Sequence, residues 1–282
     1  MQNLNRLPAV AASSPSTAEP LKPGHFFVSP QRREALKDLW FGISSGAACL
    51  LTAGHGMGKT QLCRELLLRL PVAVRSIYLT APSNNENQRN QDQDDADPID
   101  EEIGHRFLQA VRRNMHTRRR ASYNDALTRN GASDSPPVWA VIVDEAHRLN
   151  ATTLKRLELW RRHELNQGYA VALLLVGQPE LAATLKQPEC AALDSQTQIR
   201  CSLDAFDPQQ TLAYIDHWVK THRVPRVPFS DPAHRIVHYS TSGVPRLINQ
   251  VCARALEAVR QRGGLAVSAL IAARAAWAIT GD

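Results

Sequence analysis

The stretch Ala53-Gly-His-Gly-Met-Gly-Lys-Thr60 decides the fold of this chain. It follows a short apolar run, residues 47–52, and precedes residues 61–70, where every fourth residue from 62 to 70 is leucine. A glycine-rich loop between a strand and a helix lets several backbone N–H groups converge on phosphate oxygens at the helix N-terminus. The order strand, loop, helix therefore predicts a phosphate-binding loop of a P-loop α/β protein.

The residue types of this loop suit a nucleoside triphosphate. The glycines open the backbone to the ligand, Lys59 can place its ammonium beside the β- and γ-phosphates, and the Thr60 hydroxyl can ligate magnesium. The strict pattern GxxxxGK[ST] has Ala53 at its first position, which is a mild change because that position mainly permits a tight turn. The predicted nucleotide-binding residues are Gly54, His55, Gly56, Met57, Gly58, Lys59, Thr60 and Gln61.

A second apolar run, residues 138–146, ends in a pair of acids. A carboxylate at the end of a buried strand can hold the magnesium shell, which is the role predicted for Asp144. Glu145 is then placed to activate a water for attack on the γ-phosphate. Two acids after an apolar run can also be ordinary strand-end residues, and the phosphate loop upstream favours the catalytic interpretation. His147 follows without a partner at metal-ligand spacing, so we predict a surface or interface histidine.

The rest of the chain alternates strand-like and helix-like segments, which predicts a mostly parallel sheet flanked by helices. We expect residues 1–25 to form a flexible arm, residues 26–204 the α/β nucleotide-binding domain, and residues 205–282 a small helical lid domain. The acidic stretch at 82–102 is expected to be a solvated insertion. Capping residues at Ser29, Asp207, Ser230 and Ser268 mark predicted helix starts.

Composition excludes several other classes of protein. With 43% hydrophobic residues among 282, the chain can bury a large core, and no stretch approaches the roughly 20 apolar residues of a membrane span. Five scattered cysteines without a CxxC pair argue against a disulfide scaffold or a zinc ribbon, so we expect reduced thiols and a cytoplasmic protein. The net charge of +6 permits contact with nucleic acid.

The loop and the acid pair occur together with Leu175-Val-Gly-Gln-Pro-Glu-Leu181 and Gly243-Val-Pro-Arg-Leu-Ile-Asn-Gln250. In these four features the chain resembles the AAA+ ATPases of the ExeA-like secretion family, which is related to the transposition regulators of the TnsC/TniB type. The resemblance implies an AAA+ fold, ATP and Mg²⁺ as ligands, ATP hydrolysis and self-assembly into an oligomer. It also implies a sensor-1 role for Gln178 and a sensor-2 role for Arg246, which would reach from the lid to the nucleotide.

The chain departs from this family at two places. A Gln-Arg pair often found before the lid is replaced by Ser195-Gln196, with Arg200 only later. A trans-acting arginine could be Arg200, or failing that Arg161 or Arg162, although the pattern favours an ordinary surface arginine for each. The short aromatic motif before the first helix is reduced to His25-Phe26-Phe27.

Two partner hypotheses remain open at this point. The first is a DNA-associated transposition regulator whose ATP-bound oligomer coats duplex DNA and recruits a transposase. It is motivated by the pI near 9.3 and by a basic cluster within residues 112–120. That cluster could also be a solvated helix end that balances the acidic insertion. The second is an ATPase that supports secretion or pilus assembly at the inner membrane, although the membrane helix and wall-binding domain of longer family members are not found in this sequence.

Overall fold

A parallel sheet with helices on both faces carries the glycine-rich loop. The computed structural model describes residues 26–71, 73–82, 104–115, 117, 138–221, 228–262 and 264–281. Within these ranges the sheet has five strands: β1 (Ala48–Ala53), β2 (Val74–Thr80), β3 (Val138–Asp144), β4 (Val171–Gly177) and β5 (Thr197–Leu203). They lie in the order β2-β3-β4-β1-β5, and every neighbouring pair is parallel. The predicted α/β fold is confirmed.

Helices flank the sheet on both faces and continue beyond its last strand. In chain order they are α1 (Pro30–Ser44), α2 (Lys59–Arg69), α3 (104–115), α4 (Ala151–Asn166), α5 (Glu180–Leu185), α6 (Ala191–Gln196), α7 (Pro208–Thr221), α8 (Asp231–Thr241), α9 (Pro245–Gln261) and α10 (Ala269–Thr280). In the described ranges, none of these helices combines the length and the apolar character that crossing a membrane requires.

Burial along the strands reflects their positions in the sheet. All seven residues of β4 are buried, and β3 is buried from Trp139 onward, because parallel strands in the middle of a sheet are covered by helices on both faces. The outer strands are more exposed: in β2 only Ile77 is buried, and in β5 only the two end residues, Thr197 and Leu203, are buried. β5 has no continuous apolar run, and for that reason it was not predicted as a strand.

Among the described residues, three buried apolar clusters stabilise the fold. One lies on the sheet face covered by α3 and α4, a second lies on the face covered by α1 and α2, and a third joins α7 to α10. The predicted boundary near residue 205 falls in the connection between β5 and α7. The division into two domains with these bounds stays a prediction.

Local capping agrees with the predicted helix starts. The side chains of Ser29, Ser230 and Ser268 each accept a hydrogen bond from a backbone N–H three residues later, and Asp207 Oδ1 accepts from Gln210 N at 2.7 Å. These four helix starts are confirmed. The predicted helix over residues 61–70 begins earlier, at Lys59, so that the lysine and threonine of the loop lie in its first turn.

Several predictions fall on residues that the structure does not describe. The flexible arm at 1–25, residues 83–102 of the acidic insertion and Arg118, Arg119 and Arg120 of the basic cluster lie outside the described residues.

Candidate nucleotide and magnesium site

The glycine-rich loop connects the end of β1 to the start of α2. Gly56 has φ +77° and Gly58 has φ +88°, a left-handed region that residues with a Cβ rarely adopt. Gly58 directly precedes α2 and has no side chain that could cap it. The N–H groups of the first turn of α2 therefore remain available to an anion, and the helix dipole favours negative charge at that end.

The Lys59 ammonium lies inside this loop. Its side chain is buried, and Nζ donates to the carbonyl oxygens of Ala53 at 2.9 Å and Gly54 at 3.0 Å. Burial lowers the pKa of Lys59, while the nearby charges of Glu145 and Asp144 oppose that shift. The loop thus holds a cation at the place where the predicted phosphates would bind.

The two predicted magnesium ligands are in direct contact. The Thr60 hydroxyl donates to Asp144 Oδ2 at 2.8 Å, although the two residues are 84 positions apart. β4 lies between β1 and β3, and because all three strands are parallel, their carboxyl ends reach the same edge of the sheet. The acid pair therefore lies on the same edge as the glycine-rich loop.

The Asp144 carboxylate also receives two further hydrogen bonds. Oδ1 accepts from the backbone N–H of Glu145 at 2.8 Å, and Oδ2 accepts from the Tyr78 hydroxyl. Burial raises the pKa of Tyr78, and the charge of Asp144 raises it further, so the phenol keeps its proton and acts as the donor. Sequence reasoning missed Tyr78, because an aromatic residue in a strand is an ordinary core residue by pattern.

Glu145 has an unusual backbone conformation. Its φ of 56° lies in the left-handed region, which costs a residue with a Cβ about 1–2 kcal/mol. Strain of this kind is concentrated at functional sites. The conformation turns the chain out of β3, and the Glu145 side chain is 28% exposed, which leaves its carboxylate accessible to a water.

His147 lies partly buried beside Glu145, so its prediction as a surface histidine is wrong, and an interface role stays a prediction. Its side chain is 15% exposed, and Nε2 lies 3.6 Å from Glu145 Oε2 and 2.9 Å from the side-chain amide nitrogen of Gln178. The Gln178 backbone N–H donates to Nδ1 at 3.4 Å. Burial lowers the pKa of His147, which favours the neutral ring. The imidazole thus links the ends of β3 and β4.

Arg246 comes from the helical part of the chain and contacts the glycine-rich loop. Its backbone N–H donates to the Gly56 carbonyl at 3.2 Å, and its guanidinium contacts Nε2 of His55. A Cβ on Gly56 would lie 2.9 Å from Cβ of Arg246, so glycine is required for this close approach. The structure therefore brings the predicted sensor-2 arginine to the loop.

Arg32 on α1 is a further residue of this region that sequence reasoning missed. It is 4% exposed, donates from NH2 to the Met57 carbonyl at 2.8 Å, and stacks 4.0 Å above the Phe206 ring. Burial lowers the pKa of Arg32 to about 10. Nothing in the sequence distinguishes Arg32 from the neighbouring Arg33, so only the packing reveals it.

Arg161 is neither a trans-acting nor a surface arginine, and both of its predictions are wrong. It is 6% exposed, and it donates to the carbonyl oxygens of Val171 and Gly46 and to the side chain of Gln196. All of these partners belong to its own chain, so Arg161 ties α4 to the sheet.

The two other arginine candidates remain on the surface. Arg162 pairs with Glu158 at 2.7 Å and Arg200 pairs with Asp194 at 2.8 Å, with 49% and 40% of their side chains exposed. Their trans-acting role stays a prediction.

The donor set suits magnesium better than a metal held by protein ligands alone. Among the described residues, no group of three His, Cys, Asp or Glu side chains could hold a metal ion. Mg²⁺ usually keeps several waters and takes one or two carboxylates together with substrate phosphates. One carboxylate and one hydroxyl beside a phosphate-binding loop fit that preference.

Comparison with known proteins gives relatives in sequence and in structure. The chain is 31% identical over 244 residues to General secretion pathway protein A of Aeromonas hydrophila, an alignment that covers 86% of this chain and 42% of that protein. The chain thus spans about two fifths of the length of this curated relative.

Solved structures with the same fold include domain III of the replication initiation protein DnaA from Thermotoga maritima, with a TM-score of 0.58, 12% identity and coverage of 92% of this chain and 96% of that one. The R170A variant of RuvB from the same organism has a TM-score of 0.56 at 14% identity, and the alignment covers 88% of this chain and 69% of that one. ORC2 from Aeropyrum pernix has a TM-score of 0.55 at 15% identity, and the alignment covers 88% of this chain and 68% of that one. At these identities the likeness shows the fold.

The family model described as "AAA domain" matches residues 43–185, which include the glycine-rich loop, the acid pair and Gln178. This match takes in more than half of the chain. The chain therefore belongs to the AAA domain family and is an AAA+ P-loop ATPase by fold and by family.

Proposed function

We propose that this chain binds ATP together with Mg²⁺ and hydrolyses the ATP to ADP and phosphate. The observation that carries the proposal is the 2.8 Å hydrogen bond from the Thr60 hydroxyl to Asp144 Oδ2. It joins the helix that follows the glycine-rich loop to the acid at the end of β3, and no small-molecule acceptor for the phosphoryl group is implied by the sequence.

Each side chain of the site has a distinct part in this proposal. Lys59 and the loop N–H groups bind the phosphates, and Thr60 and Asp144 hold the metal, which when bound neutralises charge on the phosphate oxygens. Glu145 accepts a proton from the attacking water. Gln178 lies between the loop strand β1 and the acid strand β3, where a polar side chain can sense the γ-phosphate. Arg246 brings positive charge from α9 to the loop.

The test compares two substitutions with one control. Glu145→Gln removes the base but keeps the side-chain size, so we expect ATP binding to persist while turnover falls by about 100-fold or more. Lys59→Ala is expected to lose nucleotide binding. Glu189→Gln makes the same change at an exposed glutamate and should leave ATP binding and turnover unaffected. Undiminished turnover in Glu145→Gln would refute the assigned role of this residue.

We further propose that the chain assembles with copies of itself. AAA+ ATPases usually bind nucleotide between subunits, and Arg162 and Arg200 are exposed arginines that a neighbouring copy could reach. The expected result is an increase in molar mass on adding a non-hydrolysable ATP analogue, measured by light scattering after size-exclusion chromatography. A mass of one chain at all nucleotide and protein concentrations would contradict this proposal.

For the biological process, the sequence relative supports the secretion hypothesis. The likeness to General secretion pathway protein A extends over 86% of this chain. We propose on that basis an ATPase that supports secretion or pilus assembly, working at the cytoplasmic face of the inner membrane.

The DNA-associated role remains a second proposal, supported by charge. The chain carries +6 net charge, and Arg112 and Arg113 on α3 are exposed. In this role an ATP-bound oligomer would bind duplex DNA and recruit a transposase.

A DNA-binding assay separates the two processes. Filter binding on duplex DNA is measured at several salt concentrations, with and without a non-hydrolysable ATP analogue. ATP-dependent binding that weakens steeply with salt would favour the DNA-associated role, because neutralising phosphates releases counterions. No binding at moderate salt would end that proposal and leave the secretion role.

A further inference from the structure

We propose that Tyr78 is a positioning residue of the magnesium site: its hydroxyl fixes the orientation of the Asp144 carboxylate that holds the metal. This inference rests on the proposed function, and it assigns a role to a residue outside the glycine-rich loop and the acid pair.

The position of Tyr78 in the sheet makes this contact possible. Tyr78 lies in β2 opposite Ile142 of β3, and Thr80 lies opposite Asp144. Because side chains alternate along a strand, Ile142 and Asp144 point to the same face of the sheet. The Tyr78 ring packs against the same apolar cluster as Ile142, and its hydroxyl reaches Asp144 at the end of the neighbouring strand.

Tyr78 completes a set of three donors around one carboxylate. Asp144 Oδ2 accepts from the hydroxyls of both Tyr78 and Thr60, and Oδ1 accepts from the N–H of Glu145. A carboxylate held at both oxygens has its side-chain rotation fixed before a ligand arrives. Since Oδ1 accepts from the backbone N–H of Glu145, this hydrogen bond also restrains the backbone of the proposed base.

Residues that donate a hydrogen bond to a metal ligand change the affinity of the site for its metal. Removing a hydrogen bond from behind a metal ligand typically weakens metal affinity about 10–100-fold. When Tyr78 loses its hydroxyl, we expect the affinity for Mg²⁺ to fall by about tenfold, the lower end of this range. Thr60 and the Glu145 N–H still hold the Asp144 carboxylate in that variant.

The experiment uses Tyr78→Phe, which keeps the ring in the apolar cluster and removes only the hydroxyl. The matched control is Tyr239→Phe, since Tyr239 is 77% exposed on α8. Binding of a fluorescent, non-hydrolysable ATP analogue is titrated first in EDTA and then against increasing Mg²⁺. We expect Tyr78→Phe to bind the analogue normally in EDTA, to melt at the wild-type temperature, and to need about tenfold more Mg²⁺ for tight binding.

Each result bears on the inference. Identical Mg²⁺ titrations for Tyr78→Phe and wild type would overturn it, and so would weaker binding in EDTA with a lowered melting temperature, which would show a packing role. A wild-type protein whose binding does not respond to Mg²⁺ would instead refute the magnesium site of the proposed function, and this inference with it. The two failures can therefore be distinguished: the Tyr78 inference is refuted by the variant, and the magnesium site by the wild-type protein.

Discussion

Replacing Gly243 tests most directly how the helices that follow β5, α7 to α10, are held against the glycine-rich loop. It has φ +72°, and a Cβ added there would lie 1.9 Å from the Phe206 carbonyl oxygen. The Phe206 N–H in turn donates to the Gly243 carbonyl at 2.9 Å. Gly243→Ala must therefore displace backbone, and the displaced segment leads directly into Arg246 at the start of α9.

Gly168 provides a matched control for the loss of stability expected of Gly243→Ala. Its φ is +82°, but nothing lies within 4 Å of an added Cβ. Gly168→Ala should therefore cost only the left-handed backbone strain, about 1–2 kcal/mol. Gly243→Ala carries the same strain plus the forced displacement, which for overpacked sites adds about 1–3 kcal/mol. Both variants restrict the unfolded chain equally, so their difference isolates the contact with Phe206.

The assay measures melting temperature and nucleotide binding for both variants. At about 2–4 °C per kcal/mol for a domain of this size, Gly243→Ala should melt about 2–12 °C below Gly168→Ala. It should also bind the ATP analogue more weakly, because the start of α9 moves away from the loop. Equal melting temperatures for the two variants would refute the assigned close approach at Gly243.

Three further predictions concern other parts of the molecule. His147→Ala should lower turnover by up to about 100-fold at unchanged nucleotide affinity, because the proposed base loses its neighbour; exposed His163→Ala, in steady-state assays, should not. Arg161→Met should lower the free energy of unfolding by about 3 kcal/mol or more, since it leaves buried carbonyl groups without a donor, whereas Arg69→Met, at an arginine whose side chain is 51% exposed, should cost less than about 1 kcal/mol in the same denaturant titration. Burial raises the pKa of Cys252 from 9.0 to about 12, so its contribution to stability is present below pH 9.0 and is lost as the pH rises toward 12. Between about pH 8 and about pH 10.5 the melting temperature should therefore fall less for Cys252→Ala than for wild type, and an equal fall in both proteins would contradict this prediction.

Features that depend on neighbours in sequence were predictable. The cap at Ser29, the helix starting after Ser230 and the run that forms β4 each follow from a few adjacent residues. Periodicity and capping act over three or four residues, so they can be recognised without the fold. β5 escaped prediction because an edge strand with one polar face has no continuous apolar run.

Roles that depend on distant contacts were not predictable from pattern. Arg161 and Arg162 are adjacent in sequence, yet one is buried at 6% exposure while the side chain of the other is 49% exposed. His147 was predicted as a surface or interface histidine because no partner at metal-ligand spacing follows it, and its contact with Gln178, 31 positions away, cannot be recognised from local sequence. Which of two similar residues is buried depends on the packing of a whole helix against the sheet.

The phosphate loop, the acid pair and the alternation of strands and helices can all be recognised in the amino-acid sequence, because each is written in a short run of residues whose chemistry is local. Only the folded chain shows that Thr60 meets Asp144, that Tyr78 is hydrogen-bonded to the same carboxylate, and that Arg246 touches the loop. These contacts join segments far apart in the chain, and the order of the parallel strands together with the packing of the helical region brings them to one edge of the sheet.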